Sequence, residues 1–230
     1  MKAYAITIRG NLVSEAGYDR LVKSSTDVGN KFNINRFEAI TPDYVDMTLK
    51  SQKIKWNYPW VGKEIDIASG LTKSAYLTKN PKARVACALS HYLLWKTCVK
   101  LDEPVLVLEH DAVFTQAIDF DINDGGMFIV GINNPLGATR KARDYYNTIV
   151  NDPKWLQPVP SIDSHDVPQG LAGNSAYILK PIGAQKMLDI VKQYGLWPND
   201  AIMCKQLLPR LGVTKKFYTT IQGLQSTTTQ

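Results

Sequence analysis

The sequence predicts an α/β protein with a mostly parallel sheet and helices on both of its faces. Three short apolar runs, VLVL, MFIV and AYIL, have the length and composition of strands buried on both sides. Stretches with helical periodicity lie between such runs, and strands that alternate with helices are typical of this fold class. The chain of 230 residues contains no internal repeat and no linker, so we expect one domain spanning 1–230.

The N-terminal half supplies the first two strands and the longest helix. The segment AYAITI, residues 3–8, reads as a strand that a helical pattern follows, and RFEAI, residues 36–40, predicts a second strand. Asn80 followed by Pro81 is a typical helix start, because Asn caps the free amide groups and Pro fits the first turn. We expect this helix to end just before Pro104, where the VLVL strand begins.

The second half continues the alternation. Residues 127–131 and 176–180 predict two further strands, and the second of them leads through Pro181 into a helix. A shorter helix is expected to start at Asn199-Asp200.

Two segments are expected to be irregular. Residues 43–80 show no clean period and carry Trp56 and Trp60, so they resemble an insertion of the kind that often forms a binding loop or lid. The Thr-rich end, residues 226–230, is expected to fray.

Composition indicates a cytoplasmic protein. No apolar run approaches the roughly 20 residues of a membrane span, and no signal-peptide core follows Met1. The three cysteines, Cys87, Cys98 and Cys204, are odd in number and lack the spacing of metal ligands, which favours reduced, buried thiols.

The excess positive charge is confined to two segments. The net charge is +6, yet residues 67–101 contain six basic and no acidic side chains, and residues 201–230 contain four basic and none acidic. Such segments are usually solvated faces, but together they would attract an anion. The candidates for contact with a polyanionic acceptor are Lys79, Lys82, Arg84, Trp56 and Trp60.

Two carboxylates, Glu109 and Asp111, follow the buried VLVL strand. Ligands of open α/β sheets bind beyond the carboxyl ends of the strands, and residues two apart in an extended segment point the same way. Two converging carboxylates repel each other unless a cation lies between them, and a hard ion such as Mg²⁺ or Mn²⁺ prefers oxygen ligands. The pattern therefore predicts a metal site that leaves positions for phosphate oxygens, and a solvated strand-end turn is the equal alternative.

Several motifs, taken in order, resemble glycosyltransferase family 25, which includes bacterial lipopolysaccharide galactosyl- and glucosyltransferases. CALSH, residues 87–91, and VLVLEHDA, residues 105–112, resemble the helix and the acidic strand end of its core. GNSAYILKPIGAQKML and WPNDAIM are similar to its later strand–helix and Pro-x-Asp segments, and TIQGLQSTT to its C-terminal Gln and Ser positions. The resemblance implies a GT-A-like, Rossmann-type domain with a nucleotide sugar at the carboxyl edge of the sheet.

The resemblance also implies a chemistry. The donor would be a UDP-hexose, UDP-glucose or UDP-galactose, with its diphosphate on a metal held by Glu109 and Asp111, and the metal would stabilise the leaving nucleotide. The candidates for the base that takes the acceptor's proton are Asp200 first, then Asp163 and Asp166.

The donor-binding candidates extend over the chain. They are Ile8, Arg9, Arg20, Ser90, His91, Glu109, Gln222 and Ser226. For His91 a bond to a neighbouring loop is as good an interpretation, and for Asp200 a place as a helix cap or first-turn acid. Gln222 and Ser226 equally fit a flexible polar tail.

The acceptor stays open between two classes. His110 replaces the family's middle acid, and Arg84 stands where the family commonly has a glutamate, which puts the usual acceptor in doubt. A surface glycan of lipopolysaccharide type fits the family, whereas clustered basic residues and aromatics fit a phage enzyme acting on flipped, hydroxymethylated DNA bases. A non-catalytic module that binds nucleotide sugar or nucleic acid is the third interpretation.

Overall fold

A seven-stranded mixed sheet forms the centre of the computed structural model, which describes residues 1–137 and 141–224. In sheet order its strands are β2 (Ile34–Glu38), β1 (Lys2–Thr7), β5 (Val105–Glu109), β9 (Ala176–Leu179), β7 (Ile129–Gly131), β10 (Leu211–Thr214) and β8 (Leu156–Pro158). Only β9 and β8 run against the other five strands. The predicted α/β class with a mostly parallel sheet is confirmed.

Within the described residues, six helices and two small sheets surround this centre. The helices are α1 (Leu12–Asp27), α2 (Val45–Gln52), α3 (Pro81–Leu101), α4 (Ala142–Asn151), α5 (Pro181–Tyr194) and α6 (Asn199–Ile202). The small sheets pair β3 (Lys63–Asp66) with β4 (Leu71–Ser74), and β6 (Ala112–Phe114) with β11 (Thr219–Ile221). Short 3₁₀ segments lie at Pro42–Tyr44 and Ile122–Gly125.

Alternate residues of β5 build two cores, one on each face of the sheet. Leu106 and Leu108 pack with Leu21 of α1 on one face. Val107 packs on the other face with residues of α3 and α5, among them Met187. Since successive side chains of a strand point to opposite faces, a wholly apolar strand requires cover on both sides. The predicted placement of helices on both faces is confirmed.

Helix α3 is capped and terminated as its sequence predicts. The Asn80 side chain accepts a hydrogen bond from the amide of Ala83, and Pro81 occupies the first turn. At the other end Asp102 adopts the left-handed conformation with φ 51°, which turns the chain towards β5. The helix is buried along most of its length because apolar residues occupy more than one face.

The segment 43–80 is more regular than its lack of period predicts. It contains α2 and the β3–β4 hairpin, and Tyr58 belongs to the core. Lys73 of β4 is buried, with its Nζ 2.7 Å from Glu64 and 3.2 Å from Asp66. These ion pairs join the two strands of the hairpin, and Nζ of Lys73 also donates to the carbonyl of Asn57 at 3.0 Å, which holds the hairpin against the segment before it. The role of the segment as a lid stays a prediction.

Among the helices within residues 1–137 and 141–224, none is both long enough and apolar enough to cross a membrane.

Candidate active site

A cavity of about 700 Å³ opens at the carboxyl ends of β1, β2 and β5. Its walls comprise Ile8 after β1, Ile40 after β2, the Glu109–Asp111 segment, the first half of α3, the residues just before β9 and the start of α6. This is the edge of the sheet at which open α/β folds bind ligands. The sequence-predicted carboxylates therefore face this cavity.

Glu109 is held by a chain of buried polar groups. Its Oε1 lies 3.0 Å from Nε2 of His91, and Nδ1 of His91 lies 2.9 Å from the hydroxyl of Tyr177. That hydroxyl accepts a hydrogen bond from the indole nitrogen of Trp95 at 2.9 Å. Burial raises the pKa of Glu109, but the hydrogen bond and charge of His91 outweigh it, and the net pKa is below its ordinary value. Glu109 is thus an ionised carboxylate in a fixed orientation.

Asp111 has the opposite character. Its Oδ1 is buried and has no hydrogen-bond partner. Burial, together with the charge of Glu109, raises the pKa of Asp111 to about 7. A cation beside both carboxylates would supply the missing partner and remove the repulsion. The two residues fit a divalent ion with oxygen ligands.

Further polar atoms without partners line the same cavity. They are Nε of Arg84, both side-chain polar atoms of Asn174 and Oγ of Ser175. Among the described side chains, the one other buried atom of this kind is Oε1 of Gln222. Because buried polar groups in native proteins are nearly always hydrogen-bonded, their concentration here indicates a place for a polar ligand.

Sequence reasoning missed Asn174 and Ser175 as site residues. They precede β9, and they reach the cavity because β9 runs antiparallel to β5, which brings its first residues to the site edge. The Ser175 carbonyl accepts from the amide of Glu109 at 2.8 Å. Two polar residues directly before a buried strand were the available signal, but they identify a site only once the strand's direction is known.

Asp200 lies in the cavity wall at the start of α6. It is not the helix cap, since Pro198 occupies that position and no side chain caps the helix, but it is the acidic residue of the first turn, which the alternative interpretation predicts. The surrounding protein raises the pKa of Asp200 above its ordinary value, and the charge of Arg84 opposes this shift. The carboxylate nevertheless opens to the solvent of the cavity. A carboxylate with a raised pKa beside a ligand site is suited to accepting a proton.

The structure does not bring the other two candidate bases to the cavity. Asp163 lies 2.9 Å from Nζ of Lys141. Asp166 accepts a hydrogen bond of 2.7 Å from the hydroxyl of Thr72, on the β3–β4 hairpin. Neither lines the cavity.

Four of the donor-binding candidates, Ile8, Ser90, His91 and Glu109, line the cavity. The Ser90 hydroxyl is already occupied, because it donates to the carbonyl of Ala86 and accepts from the amide of Ile40, both at 2.9 Å. Its hydrogen bonds fasten the end of β2 to α3, so its contribution is to position the wall.

The two arginine candidates lie on the surface. Arg9 is exposed and pairs with Glu38 at 3.6 Å. Arg20 is exposed on α1, where its Nε donates to the carbonyl of Ala16 at 3.3 Å. Neither side chain lines the cavity.

Gln222 fastens the C-terminal strand to the strand end that carries the carboxylates. Its side-chain nitrogen donates to the carbonyls of Gly17 and Ala112, both at 2.9 Å, and its amide donates to the carbonyl of Asp111 at 2.7 Å. Position 17 requires glycine, because a Cβ there would lie 2.7 Å from the carbonyl oxygen of His110. Gln222 thus stabilises the strand end that carries Glu109 and Asp111. Ser226 and the predicted frayed tail lie outside the described residues.

The predicted polyanion contacts do not gather at the cavity. Of Lys79, Lys82 and Arg84 only Arg84 lines it, with its guanidinium 4.9 Å from the centre of the Tyr76 ring. Lys82 pairs with Asp46 at 2.6 Å.

The aromatic candidates also lie elsewhere. Trp56 stacks on Trp60 with ring centres 5.1 Å apart, and neither ring lines the cavity.

An α/β sheet with paired carboxylates and unpartnered polar groups at its carboxyl edge defines a class of protein that binds a polar ligand there. The sequence places the chain within that class more narrowly. It belongs to glycosyltransferase family 25, described as lipopolysaccharide biosynthesis proteins, whose sequence profile matches residues 18–203. The chain is therefore a glycosyltransferase, and the prediction of an enzyme is confirmed.

Solved structures with a similar arrangement are distant in sequence. The galactosyltransferase LgtC in complex with donor and acceptor sugar analogues is 11% identical, with 93% of this chain and 73% of that chain covered and a TM-score of 0.44. The glycosyltransferase GlyE of Streptococcus pneumoniae is 9% identical, with 84% and 39% covered and a TM-score of 0.35. Mouse xyloside xylosyltransferase 1 is 11% identical, with 91% and 83% covered and a TM-score of 0.37. No curated protein matches the chain in sequence.

Proposed function

We propose that the protein transfers a hexose from a nucleotide sugar, UDP-glucose or UDP-galactose, to an acceptor hydroxyl in a metal-dependent reaction. The proposal rests on Glu109 and Asp111. The contact with His91 keeps the Glu109 carboxylate ionised, and Asp111 has a buried oxygen without a hydrogen-bond partner. Both face a cavity that also holds Asp200.

Glu109 and Asp111 would hold Mn²⁺ or Mg²⁺. When bound, the ion supplies positive charge that stabilises the nucleotide diphosphate as it leaves. Asn174 and Ser175 offer unpartnered hydrogen-bonding groups for the donor.

Asp200 is the residue that we propose takes the proton of the acceptor hydroxyl. It is the one candidate base of the three that lines the cavity, and its raised pKa makes it a better proton acceptor than an ordinary aspartate. Asp163 pairs with Lys141 and Asp166 accepts a hydrogen bond from Thr72, so we do not propose either residue as the base.

Of the two acceptor classes we favour a glycan. Binding DNA in the required orientation takes a cluster of Lys and Arg that neutralises several phosphates. Among the described lining residues Arg84 is the single Lys or Arg, and Lys82 is paired with an acid. The basic segment after residue 200 is also engaged, since Lys205 donates to the carbonyl of Val159 and Lys216 pairs with Asp119.

A transfer assay tests both parts of the proposal. UDP-glucose and UDP-galactose are offered in turn with a lipooligosaccharide core, hydroxymethylated DNA and unmodified DNA, in the presence of Mn²⁺. We expect transfer to the oligosaccharide alone, with no salt-sensitive binding of DNA. Transfer to hydroxymethylated DNA would overturn the choice of acceptor, and the absence of nucleotide release with any acceptor or with water would overturn the donor.

A further inference from the structure

A thiol, an imidazole and a carboxylate meet on the floor of the cavity. Cys87 and His91 are four residues apart on α3, so their side chains lie on one face of the helix, one turn from each other. Glu109 reaches the same point from the end of β5. The ligating atoms of all three lie within 4.8 Å of one another.

This spacing is close to that of a tetrahedral metal site. Ligand atoms around Zn²⁺ are separated by about 3.3 to 3.6 Å, given its usual bond lengths to nitrogen, oxygen and sulfur. Nε2 of His91 and Oε1 of Glu109 are 3.0 Å apart, and the sulfur of Cys87 lies within 4.8 Å of the ligand atoms of both residues. Cys87 and Glu109 both line the cavity, which leaves the fourth position open.

The imidazole also has the support that metal-binding histidines need. A histidine ligand normally donates its second ring N–H to an oxygen, which fixes the ring and directs the free nitrogen at the metal. The Tyr177 hydroxyl lies 2.9 Å from Nδ1 of His91 and is itself held by Trp95. His91, Tyr177 and Trp95 are all fully buried, so the ring is fixed before any ion arrives.

We propose that Cys87, His91 and Glu109 form a site for a thiophilic divalent cation, with Zn²⁺ as its natural occupant. On binding, the Cys87 thiol releases its proton to solvent and Nε2 of His91 gives up the proton that it shares with Glu109, so that the thiolate and the imidazole nitrogen both become ligands. The site differs from the Glu109–Asp111 pair in its donors, because sulfur and nitrogen select Zn²⁺ where two carboxylates select Mn²⁺ or Mg²⁺.

The two sites share Glu109, so their ions exclude each other. Zn²⁺ at the Cys87 site would therefore inhibit a transfer reaction that depends on Mn²⁺, a consequence that rests on the proposed function. The site itself does not depend on that function and can be measured without substrate.

The test is a titration of the full chain with Co²⁺, a spectroscopic substitute for Zn²⁺. We expect a thiolate-to-Co²⁺ charge-transfer band, together with the intense visible absorption of a four-coordinate ion. Cys87→Ser should lose the charge-transfer band and bind Co²⁺ more weakly, because the thiolate ligand is gone. Cys98→Ala is the matched control, since Cys98 is a buried thiol on the same helix whose sulfur contacts the carbonyl of Leu179, and it should retain the band.

Two outcomes would overturn the site: a Co²⁺ spectrum without a thiolate band in the wild-type protein, or a band that persists in Cys87→Ser. A displacement experiment checks the shared ligand, with Mn²⁺ followed by electron paramagnetic resonance as Zn²⁺ is added. Zn²⁺ should release Mn²⁺ from the wild type, and a higher concentration of Zn²⁺ should be needed in Cys87→Ser. Simultaneous binding of both ions would contradict the sharing of Glu109.

Discussion

Nε2 of His91 lies 3.0 Å from Oε1 of Glu109, and this contact divides the roles of two neighbouring carboxylates. It holds the pKa of Glu109 below its ordinary value, while burial and the charge of Glu109 raise the pKa of Asp111 to about 7. At neutral pH Glu109 is therefore ionised, whereas Asp111 is partly protonated and loses its proton when a cation binds. The predictions for metal binding follow from this asymmetry.

The affinity for Mn²⁺ should rise with pH through about 7, because the proton on Asp111 has to leave before the carboxylate can bind the ion. Below that pH each unit of acidification should weaken binding by up to about tenfold, the limit for one competing proton. Mn²⁺ titrations followed by electron paramagnetic resonance between pH 5.5 and 8 measure the slope. An affinity that is independent of pH over this range would show that Asp111 is not a ligand.

Asp200→Asn should lower turnover by about 100-fold or more while donor affinity changes little, because it removes a proton acceptor and few binding contacts. The wild-type rate should fall on acidification through a pKa above the ordinary range of aspartate, since the protonated carboxyl accepts no proton. Steady-state kinetics and donor titration separate the two effects. Asp163→Asn and Asp166→Asn are the controls, and we expect both to retain turnover because neither residue lines the cavity.

A loss of donor affinity without a loss of turnover per bound donor would make Asp200 a binding residue. In that case the base would have to be sought elsewhere.

Lys73→Met should destabilise the fold by about 3 to 5 kcal/mol, because it leaves Asp66 buried without its cation. The matched control is Lys82→Met, whose exposed ion pair with Asp46 should contribute less than about 1 kcal/mol. Urea unfolding of both variants gives the free energies of unfolding. Equal small losses in the two variants would mean that the buried Lys73 network adds no more stability than an exposed ion pair.

Sequence patterns predicted the elements that are long or strongly capped. The Asn80-Pro81 start of α3 and the VLVL run of β5 both occur where predicted, because caps and apolar runs act locally. The second strand occupies Ile34–Glu38, two residues earlier than the predicted 36–40.

Several short elements were not predicted from the sequence. β8 and β10 contain three and four residues, too few to show a period, and α2 lies in a segment that reads as irregular. The local sequence pattern could not predict the direction of β9 either, because both of its neighbours in the sheet are distant in sequence.

The residues of the candidate site were likewise predictable only where they lie close together in the sequence. Glu109 and Asp111 were predicted together because both follow one strand, and they do face one cavity. Lys73 was counted with the anion-attracting segment, yet it is buried against Asp66 through a pairing that charge counts cannot reveal. Paired charges of this kind are a property of the fold rather than of composition.

We propose that Glu109 and Asp111 hold the metal ion that the transfer requires. The most direct measurement is nucleotide release from UDP-glucose and UDP-galactose with added Mn²⁺, comparing wild type with Asp111→Asn and with the surface control Asp46→Asn. We predict that wild type and Asp46→Asn release nucleotide and lose this activity in excess chelator. Asp111→Asn should unfold at or above the wild-type temperature, because it removes an unpartnered buried acid, yet release nucleotide about 100-fold more slowly. Full activity of Asp111→Asn, or of the wild type in excess chelator, would contradict the claim.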